Sequence, residues 1–149
     1  MPFRRRLPWL FGSFMPQPPS TRFALPPDDA EPLSRFLLSK SHISVEKMRV
    51  KSAAFLPEVR SLETSVFRTV DLDPAEIWAI GEQHVATPIG RTLHGRGEVA
   101  AQVPRRMGLQ VRPDNQPERH AAIVGWPAEK DRQLMLAIEL AEESTLFLK

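Results

Sequence analysis

The chain has 149 residues, of which 42% are hydrophobic and 26% are charged, and these proportions are typical of one globular domain. It contains no cysteine, which excludes disulfides, thiolate metal sites and cysteine nucleophiles and agrees with a reducing, cytoplasmic location. No apolar run approaches the roughly 18 residues that a membrane helix requires, so we expect no transmembrane segment.

Residues 1–31 are predicted to form a disordered arm. Eight of the 15 prolines in the chain lie within the first 32 residues, and proline disfavours both helix and sheet. Four arginines and no acid precede Asp28, which leaves 16 basic and 18 acidic residues for the rest of the chain. We therefore expect the body to lack a general attraction for nucleic acid. The arm is expected to contact an acidic protein partner or a membrane surface.

The remainder, residues 32–149, is predicted to fold as a single α+β domain. Residues 33–38 and 50–57 have the apolar content of strands. Residues 64–70 are rich in β-branched and aromatic side chains, which favour a strand more strongly. These segments are predicted to be the first three strands.

A capped helix is predicted to follow from residue 73. Asp73 suits the N-cap, Pro74 suits the first helical position, and Glu76 completes a capping box. Four residues fall at i, i+3, i+4 and i+7 and share one stripe of this helix: Ile77, Ile80, Gly81 and His84. Glycine on such a stripe permits close packing, and a histidine there is often a hydrogen-bonded core residue.

A second helix is predicted over residues 97–107, with a kink or break at Pro104. Short strands are predicted at residues 109–111 and 120–124. The resulting order lacks the regular alternation of a doubly wound fold.

The last helix is predicted over residues 125–144, with an apolar face formed by Leu134, Ile138 and Ala141. Residues 145–149 follow as a final strand or a docked tail. The order β-β-β-α-α-β-β-α, preceded by the arm, favours the α+β class.

Several chemistries lack their sequence signature. The four histidines, at 42, 84, 94 and 120, are not arranged as HxH, HxxxH or HExxH, so no metal site is predicted. Neither GxGxxG nor GxxxxGK[ST] is present, and GxSxG is absent as well. We therefore expect no dinucleotide or P-loop nucleotide cofactor, and no cofactor of another kind is indicated.

The segment GRTLHGRGE, residues 90–98, contains chemistry suited to an anion. Glycine lets backbone N–H groups approach an anion closely, and a helix beginning at residue 97 would direct free donors toward it. Arginine matches phosphate oxygens with a planar pair of donors, and histidine is able to transfer protons near neutral pH.

Two sets of candidate residues follow. Phosphate-binding candidates are Arg91, Arg96, Arg119, Gly95 and Gly97. Catalytic candidates are His94, His84 and His120. A second basic segment, residues 35–60, holds six basic and two acidic residues and would add to an anion site if both segments share a face. For His120 a surface role is the simpler interpretation, and helix packing is the simpler one for His84.

The sequence leaves two functions open. The first is binding of a phosphate-bearing ligand, RNA or a nucleotide, in a site lined by His, Arg and Gly, with phosphodiester cleavage or group transfer that needs no metal as a further step. The alternative is a non-enzymatic interaction or accessory module that docks through the arm or the last helix.

Overall fold

A six-stranded antiparallel sheet is the centre of the fold in the computed structural model, which describes residues 20–149. The strands, including a separate two-stranded hairpin, are β1 (Pro32–Leu37), β2 (Ile43–Ser44), β3 (Arg49–Val50), β4 (Thr64–Arg68), β5 (Gly95–Ala100), β6 (Gln110–Pro113), β7 (His120–Val124) and β8 (Thr145–Leu148). The sheet order is β6-β7-β4-β1-β5-β8, and β2 pairs with β3.

Four α-helices surround the strands in the described part of the chain. They are α1 (Ser20–Phe23), α2 (Pro74–Ile80), α3 (Gln102–Arg106) and α4 (Lys130–Glu143). Helix α2 continues as a π-helical turn, Gly81–Ala86, and further 3-10 turns lie at Lys40–His42, Ser52–Phe55 and Thr87–Ile89. None of the helices within residues 20–149 is long and apolar enough to cross a membrane. The fold is a small α+β domain, which confirms the predicted class.

One face of the sheet, here called the first face, is covered by α4 and by the segment that carries β2 and β3. Alternate strand residues point toward it, because successive side chains in a strand lie on opposite sides. Its buried apolar residues include Leu33, Leu37, Val66, Val99 and Ile123. Ala137 and Leu140 of α4 pack in the same cluster. Each large aliphatic side chain buried there stabilises the fold by roughly 1.5–3 kcal/mol.

The opposite side, the second face, is covered by α2 and its π-helical continuation. Phe36 and Phe67 from β1 and β4 are buried there with Ile77 and Leu93. Gly81 lies so close to the sheet that an added Cβ would be 2.6 Å from Phe36 Cδ1. The glycine therefore permits the close packing predicted for this stripe.

The start of α2 confirms the predicted capping box. The Asp73 carboxylate accepts a hydrogen bond of 2.8 Å from the Glu76 N–H, and the Glu76 carboxylate accepts one of 3.0 Å from the Asp73 N–H. Pro74 occupies the first turn, where a missing N–H leaves no bond unmade. Local sequence alone therefore determines where this helix begins.

Two segments differ from the predicted elements. Residues 50–57 form mainly a 3-10 turn rather than a strand, and their apolar character reflects burial of Ala54 and Phe55 beneath the sheet. In residues 97–107, the first part belongs to strand β5, and only Gln102–Arg106 is helical. The glycines at 95 and 97 weaken the apolar alternation by which that strand would have been recognised.

Residues 20–31, the part of the predicted arm that the structure describes, pack against the domain. Phe23 is 3% exposed, and Glu31 forms an ion pair in the interior with Arg68. Residues 20–31 thus belong to the folded unit, and the boundary at residue 31 does not separate them from it. Residues 1–19 lie outside the described residues, so the disordered arm predicted there stays a prediction.

The face of α4 differs from the prediction at two of its three residues, and Ala141 is buried as predicted. Ala137, Leu140 and Ala141 are buried, whereas Leu134 and Ile138 are 43% and 41% exposed. The side of the helix that faces the sheet is therefore formed by Ala137, Leu140 and Ala141. Of the two alternatives expected after this helix, a final strand or a docked tail, strand β8 confirms the strand.

Candidate functional site

The loop between β6 and β7 holds the imidazole of His120. Asp114 follows the last residue of β6, and its Oδ1 lies 2.7 Å from His120 Nδ1. Backbone hydrogen bonds from the Asn115 N–H to the His120 carbonyl, and from the His120 N–H to the Pro117 carbonyl, close the loop. Because an ionised carboxylate only accepts hydrogen bonds, Nδ1 carries the proton and Nε2 is free to accept one.

The Asp114 carboxylate stays ionised in the neutral pH range. Burial alone would raise its pKa, but hydrogen bonds from His120 and from the Gln116 N–H outweigh burial. Electrostatic interaction with His120 and the charge of Arg112 add to this effect, and together they hold the pKa of Asp114 below its usual range. A fixed negative charge therefore lies beside the His120 ring.

Phe67 brings a second histidine to the same surface. Its ring centroid is 5.2 Å from that of His120, edge to face, and 6.1 Å from that of His84, nearly parallel. Phe67 itself is buried on the second face, and His84 lies exposed on the π-helical turn above it. Two of the three predicted catalytic histidines thus contact one phenyl ring, although 36 residues separate them in the chain.

Arg112 adds a cation to this surface. It pairs with Ala122 across β6 and β7, and Ala122 is two residues from His120, so both side chains lie on the second face. The guanidinium is about half exposed and contacts Glu63 at 2.9 Å. We call the group formed by Phe67, His84, His120, Asp114 and Arg112 the Phe67 surface.

The Phe67 surface is shallow. The hollow beside it, between Phe67, Val85 and Ser65, has a volume of about 40 Å³. That volume admits only a few water molecules. A ligand would therefore lie across the surface rather than within a deep cleft.

His94 lies elsewhere in the sheet. It precedes β5, where its N–H bonds the Leu37 carbonyl and its carbonyl accepts from the Lys149 N–H. Strands β4 and β1 separate β5 from β7, so His94 is about 14 Å or more from His120 at the usual spacing of strands. The structure does not bring this candidate to the other two histidines.

Arg91 and Arg119 lie at opposite ends of β1. Arg91 Nη2 donates to the Leu38 carbonyl at 3.0 Å, just beyond the end of the strand. Arg119 Nη1 donates at 2.9 Å to the carbonyls of Arg68 and Val70, near its beginning. A strand of this length spans about 17 Å, so the two guanidinium groups cannot bind one phosphate.

The Arg119 side chain has a structural role. Its guanidinium carbon lies 4.2 Å from the centroid of the Phe23 ring, a cation–π distance. Burial lowers the pKa of Arg119, the charge of Arg22 lowers it further, and nearby carboxylates including Glu118 oppose this. Arg119 therefore attaches residues 20–31 to the loop before β7.

Arg96 is buried on the second face. Its Nη1 donates to Ser34 Oγ at 3.0 Å and to Glu98 Oε1 at 2.7 Å, so its charge is already paired. The guanidinium carbon lies 4.1 Å from the Phe147 centroid and 5.8 Å from that of Trp78. Arg96 Nε is the buried side-chain atom without a hydrogen-bond partner within residues 20–149. The contacts with the two rings, with Ser34 and with Glu98 give the remainder of the Arg96 side chain a structural role.

Gly95 and Gly97 are required by packing in β5. A Cβ on Gly95 would be 2.7 Å from the Phe147 carbonyl oxygen, and one on Gly97 would be 2.9 Å from Val50 Cγ2. Since both residues are in a strand, the helix N-terminus predicted to direct donors at an anion does not exist there. Strand packing supplies a sufficient reason for both glycines.

Sequence reasoning misses three members of the Phe67 surface: Phe67, Asp114 and Arg112. Phe67 has the character of an ordinary core strand residue, and the loop after Pro113 carries no motif. The spacing of six residues between Asp114 and His120 is the available signal, since a short loop can bring such a pair together.

Within residues 20–149, no three His, Cys, Asp or Glu side chains are grouped as metal ligands would be. Comparison of the chain with protein-family models, with curated proteins and with solved structures finds no match. A function for this chain is therefore inferred from its own geometry.

Proposed function

We propose that the Phe67 surface binds the phosphodiester backbone of RNA and cleaves it without a metal ion. The observation that carries the proposal is the 2.7 Å contact between His120 and Asp114 beside a ring that His84 also contacts. Two imidazoles and a cation are the groups that this chemistry requires.

The proposed reaction needs only one proton acceptor and one donor. His120 Nε2 takes the proton of the ribose 2′-hydroxyl, and Asp114 stabilises the imidazolium that forms. The 2′-oxygen attacks phosphorus, the bond to the 5′-oxygen breaks, and His84 donates a proton to that leaving oxygen. The products are a 2′,3′-cyclic phosphate and a free 5′-hydroxyl, so the step consumes no water.

Arg112 would stabilise the charge on the phosphoryl oxygens. Its guanidinium is half exposed and lies on the same face as His120. The shallow surface favours a polymer over a free nucleotide, because an extended strand can make contacts on both sides of Phe67. RNA is therefore the preferred member of the predicted ligand class.

The test is cleavage of a DNA oligonucleotide containing a single ribonucleotide, in the presence of EDTA. Wild-type protein should cut at the ribonucleotide and yield a 2′,3′-cyclic phosphate. His120→Ala and His84→Ala should each reduce the rate at least about 100-fold, the range typical of a lost general acid or base. Asp114→Asn should also reduce the rate, because an amide can donate to Nδ1 and place the proton on Nε2, the atom that has to accept one.

His42→Ala and His94→Ala are matched controls that remove an imidazole away from Phe67, and both should retain the wild-type rate. A wild-type protein without cleavage activity would overturn the proposed reaction. Equal rates in wild type and His120→Ala, purified in parallel, would attribute any cleavage to a contaminant.

A second candidate function is supported by α4. Leu134, Met135 and Ile138 are 43%, 69% and 41% exposed on this helix. Met135 also lines a hollow of about 480 Å³ together with Met107 and Leu109. Exposed apolar side chains beside a hollow are typical of a protein-interaction site.

Under this alternative the partner would present apolar side chains flanked by basic ones, because Glu139 and Glu142 lie beside Ile138 on α4. A partner cross-linked at position 135 and then purified should bind the wild-type protein and lose affinity for Met135→Glu. Val59→Glu is the control, since Val59 is 79% exposed and lies outside the helix. Equal loss in both variants would contradict the alternative.

A further inference from the structure

A basic hollow lies beside the β2–β3 hairpin, on the first face of the domain. Its volume is about 340 Å³, within the range of pockets that hold small molecules. One side is lined by the hairpin and the residues after it, and the other by the last turns of α4. Its polar lining on the hairpin side consists of Ser44, Lys47, Arg49, Lys51 and Ser52.

The pairing of the hairpin explains why its cations converge. Ile43 pairs with Val50 and Ser44 pairs with Arg49. Val50 is buried against the sheet, so the side chains on either side of it in sequence, Arg49 and Lys51, extend away from the core. The turn returns Lys47 to the same region, where its N–H bonds Ser44 Oγ at 3.3 Å.

The three cations have no acidic partner among the described residues. Elsewhere in residues 20–149, ion pairs join Arg22, Arg68, Arg96, Arg105, Arg106, Arg112, Arg132 and Lys149 to carboxylates. Lys47, Arg49 and Lys51 form none of these pairs. Of the described acids, Glu142 lines the hollow, and one carboxylate cannot neutralise three cations.

Three cations unpaired within residues 20–149 favour an anionic ligand group, and the remaining residues of the lining indicate which other groups the ligand carries. Val50, Ile138 and Ala141 supply an apolar wall, and Ile138 is 41% exposed. The Glu142 carboxylate can accept hydrogen bonds from hydroxyl groups, and the serine hydroxyls can donate to phosphate oxygens. Three cations, a hydroxyl acceptor and an apolar wall match a phosphate, a sugar and a base.

We propose that this hollow binds a nucleoside monophosphate, with the phosphate held by Lys47, Arg49 and Lys51, the ribose at Glu142, and the base against Ile138. The site is independent of the proposed cleavage reaction. The hairpin and α4 pack on the first face of the sheet, whereas Phe67 and its histidines lie on the second. Each proposal can therefore fail without the other.

The test is an NMR titration of the full chain with AMP, in which amide signals report where the ligand binds. AMP should shift the amides of residues 44–52 and 138–142 in a saturable manner. Adenosine and inorganic phosphate, titrated separately, should each bind at least tenfold more weakly. Potassium chloride at the same ionic strength should not reproduce the shifts, because ionic screening does not act at one defined site.

Two triple variants with the same loss of charge provide the matched comparison. Lys47→Gln/Arg49→Gln/Lys51→Gln should weaken AMP binding at least 30-fold. Lys40→Gln/Arg60→Gln/Lys130→Gln removes three exposed cations outside the hollow and should bind AMP as the wild type does. If the first triple variant does not fold, the single variant Arg49→Gln replaces it, and its affinity for AMP should fall about tenfold.

Equal weakening in the two triple variants would overturn the site and leave general electrostatic attraction. Shifts confined to residues near Phe67 would also overturn it and would instead support ligand binding at the histidines. His120→Ala should bind AMP in the hollow as tightly as the wild type does. Arg49→Gln should cleave RNA at the wild-type rate if the cleavage proposal holds.

Discussion

Arg68 and Glu31 form an ion pair in the interior of the domain through two parallel hydrogen bonds. Arg68 Nε lies 2.6 Å from Glu31 Oε2, and Nη2 lies 3.1 Å from Oε1. The side chains are 2% and 6% exposed. Arg68 Nη1 also donates to the carbonyls of Phe23 and Leu25. One arginine of β4 therefore attaches residues 23–31 to the sheet.

Glu31→Gln should destabilise the fold by about 3–5 kcal/mol, because it leaves the Arg68 charge buried without a counter-ion. Urea unfolding followed by circular dichroism measures this change. Asp71→Asn is the control, since the Arg22–Asp71 pair is 56% and 66% exposed and such pairs contribute about 1 kcal/mol or less. Similar losses in the two variants would contradict the assigned role of the Arg68–Glu31 pair.

The parts of the fold predicted correctly are those whose signals are local. Asp73 and Glu76 determine the start of α2 through two short hydrogen bonds, and β4 is identified by its own β-branched and aromatic residues. Strand β5 escapes prediction because its pairing depends on distant segments. Gly95 approaches β8 and Gly97 approaches β3, contacts that a local pattern does not contain.

In the candidate site, too, local sequence could not predict contacts between segments that are distant in the chain. His84 and His120 both contact Phe67 because β4 pairs with β7 and the π-helical turn lies over Phe67, which is a property of the tertiary structure. Charge pattern alone could not distinguish Arg119, whose donors bind carbonyl groups, from Arg112, which remains half exposed. Residue type identified candidate chemistry, and topology decided which candidates share a surface.

Substitution of the β5 glycines should affect stability. Gly97→Ala should destabilise the fold by about 1–3 kcal/mol, because the added methyl meets the Val50 side chain at 2.9 Å. Gly95→Ala should destabilise it more, since the obstacle is the Phe147 carbonyl oxygen of the neighbouring strand, at 2.7 Å, and backbone moves less readily. Thermal and urea unfolding measure both effects.

Gly90→Ala separates strain from crowding. Gly90 has φ +65, and a Cβ added there would have nothing within 4 Å, so the cost of the substitution should be conformational and about 1 kcal/mol. The order Gly95, then Gly97, then Gly90 in decreasing destabilisation is expected. If Gly95→Ala and Gly97→Ala leave stability unchanged but remove phosphate binding, the glycines act on an anion, as their sequence context indicates.

Asp114 should make the protein more sensitive to acid. Its pKa in the folded chain lies below the unfolded value of about 3.9, so its contribution to stability is present above that pH and is lost as the pH falls through the folded pKa. Asp114→Asn should therefore lower the free energy of unfolding at neutral pH and flatten its decline below about pH 4. His120→Ala should produce part of the same flattening. If the free energy of unfolding of Asp114→Asn declines below about pH 4 as steeply as that of the wild type, the cause assigned to the pKa shift is wrong.

His42 should have the opposite relation to pH, because its pKa is lowered by burial and by the charges of Arg35 and Arg91. An unfolded histidine takes up a proton near about pH 6.5, whereas folded His42 resists protonation until the pH is lower, so stability declines as the pH falls below about 6.5. His42→Gln should remove this part of the decline when unfolding is measured between about pH 7 and 5. Arg91→Gln should remove a smaller part, because burial and Arg35 still act on the imidazole. If the slope in His42→Gln equals that of the wild type, the pH dependence originates in another group.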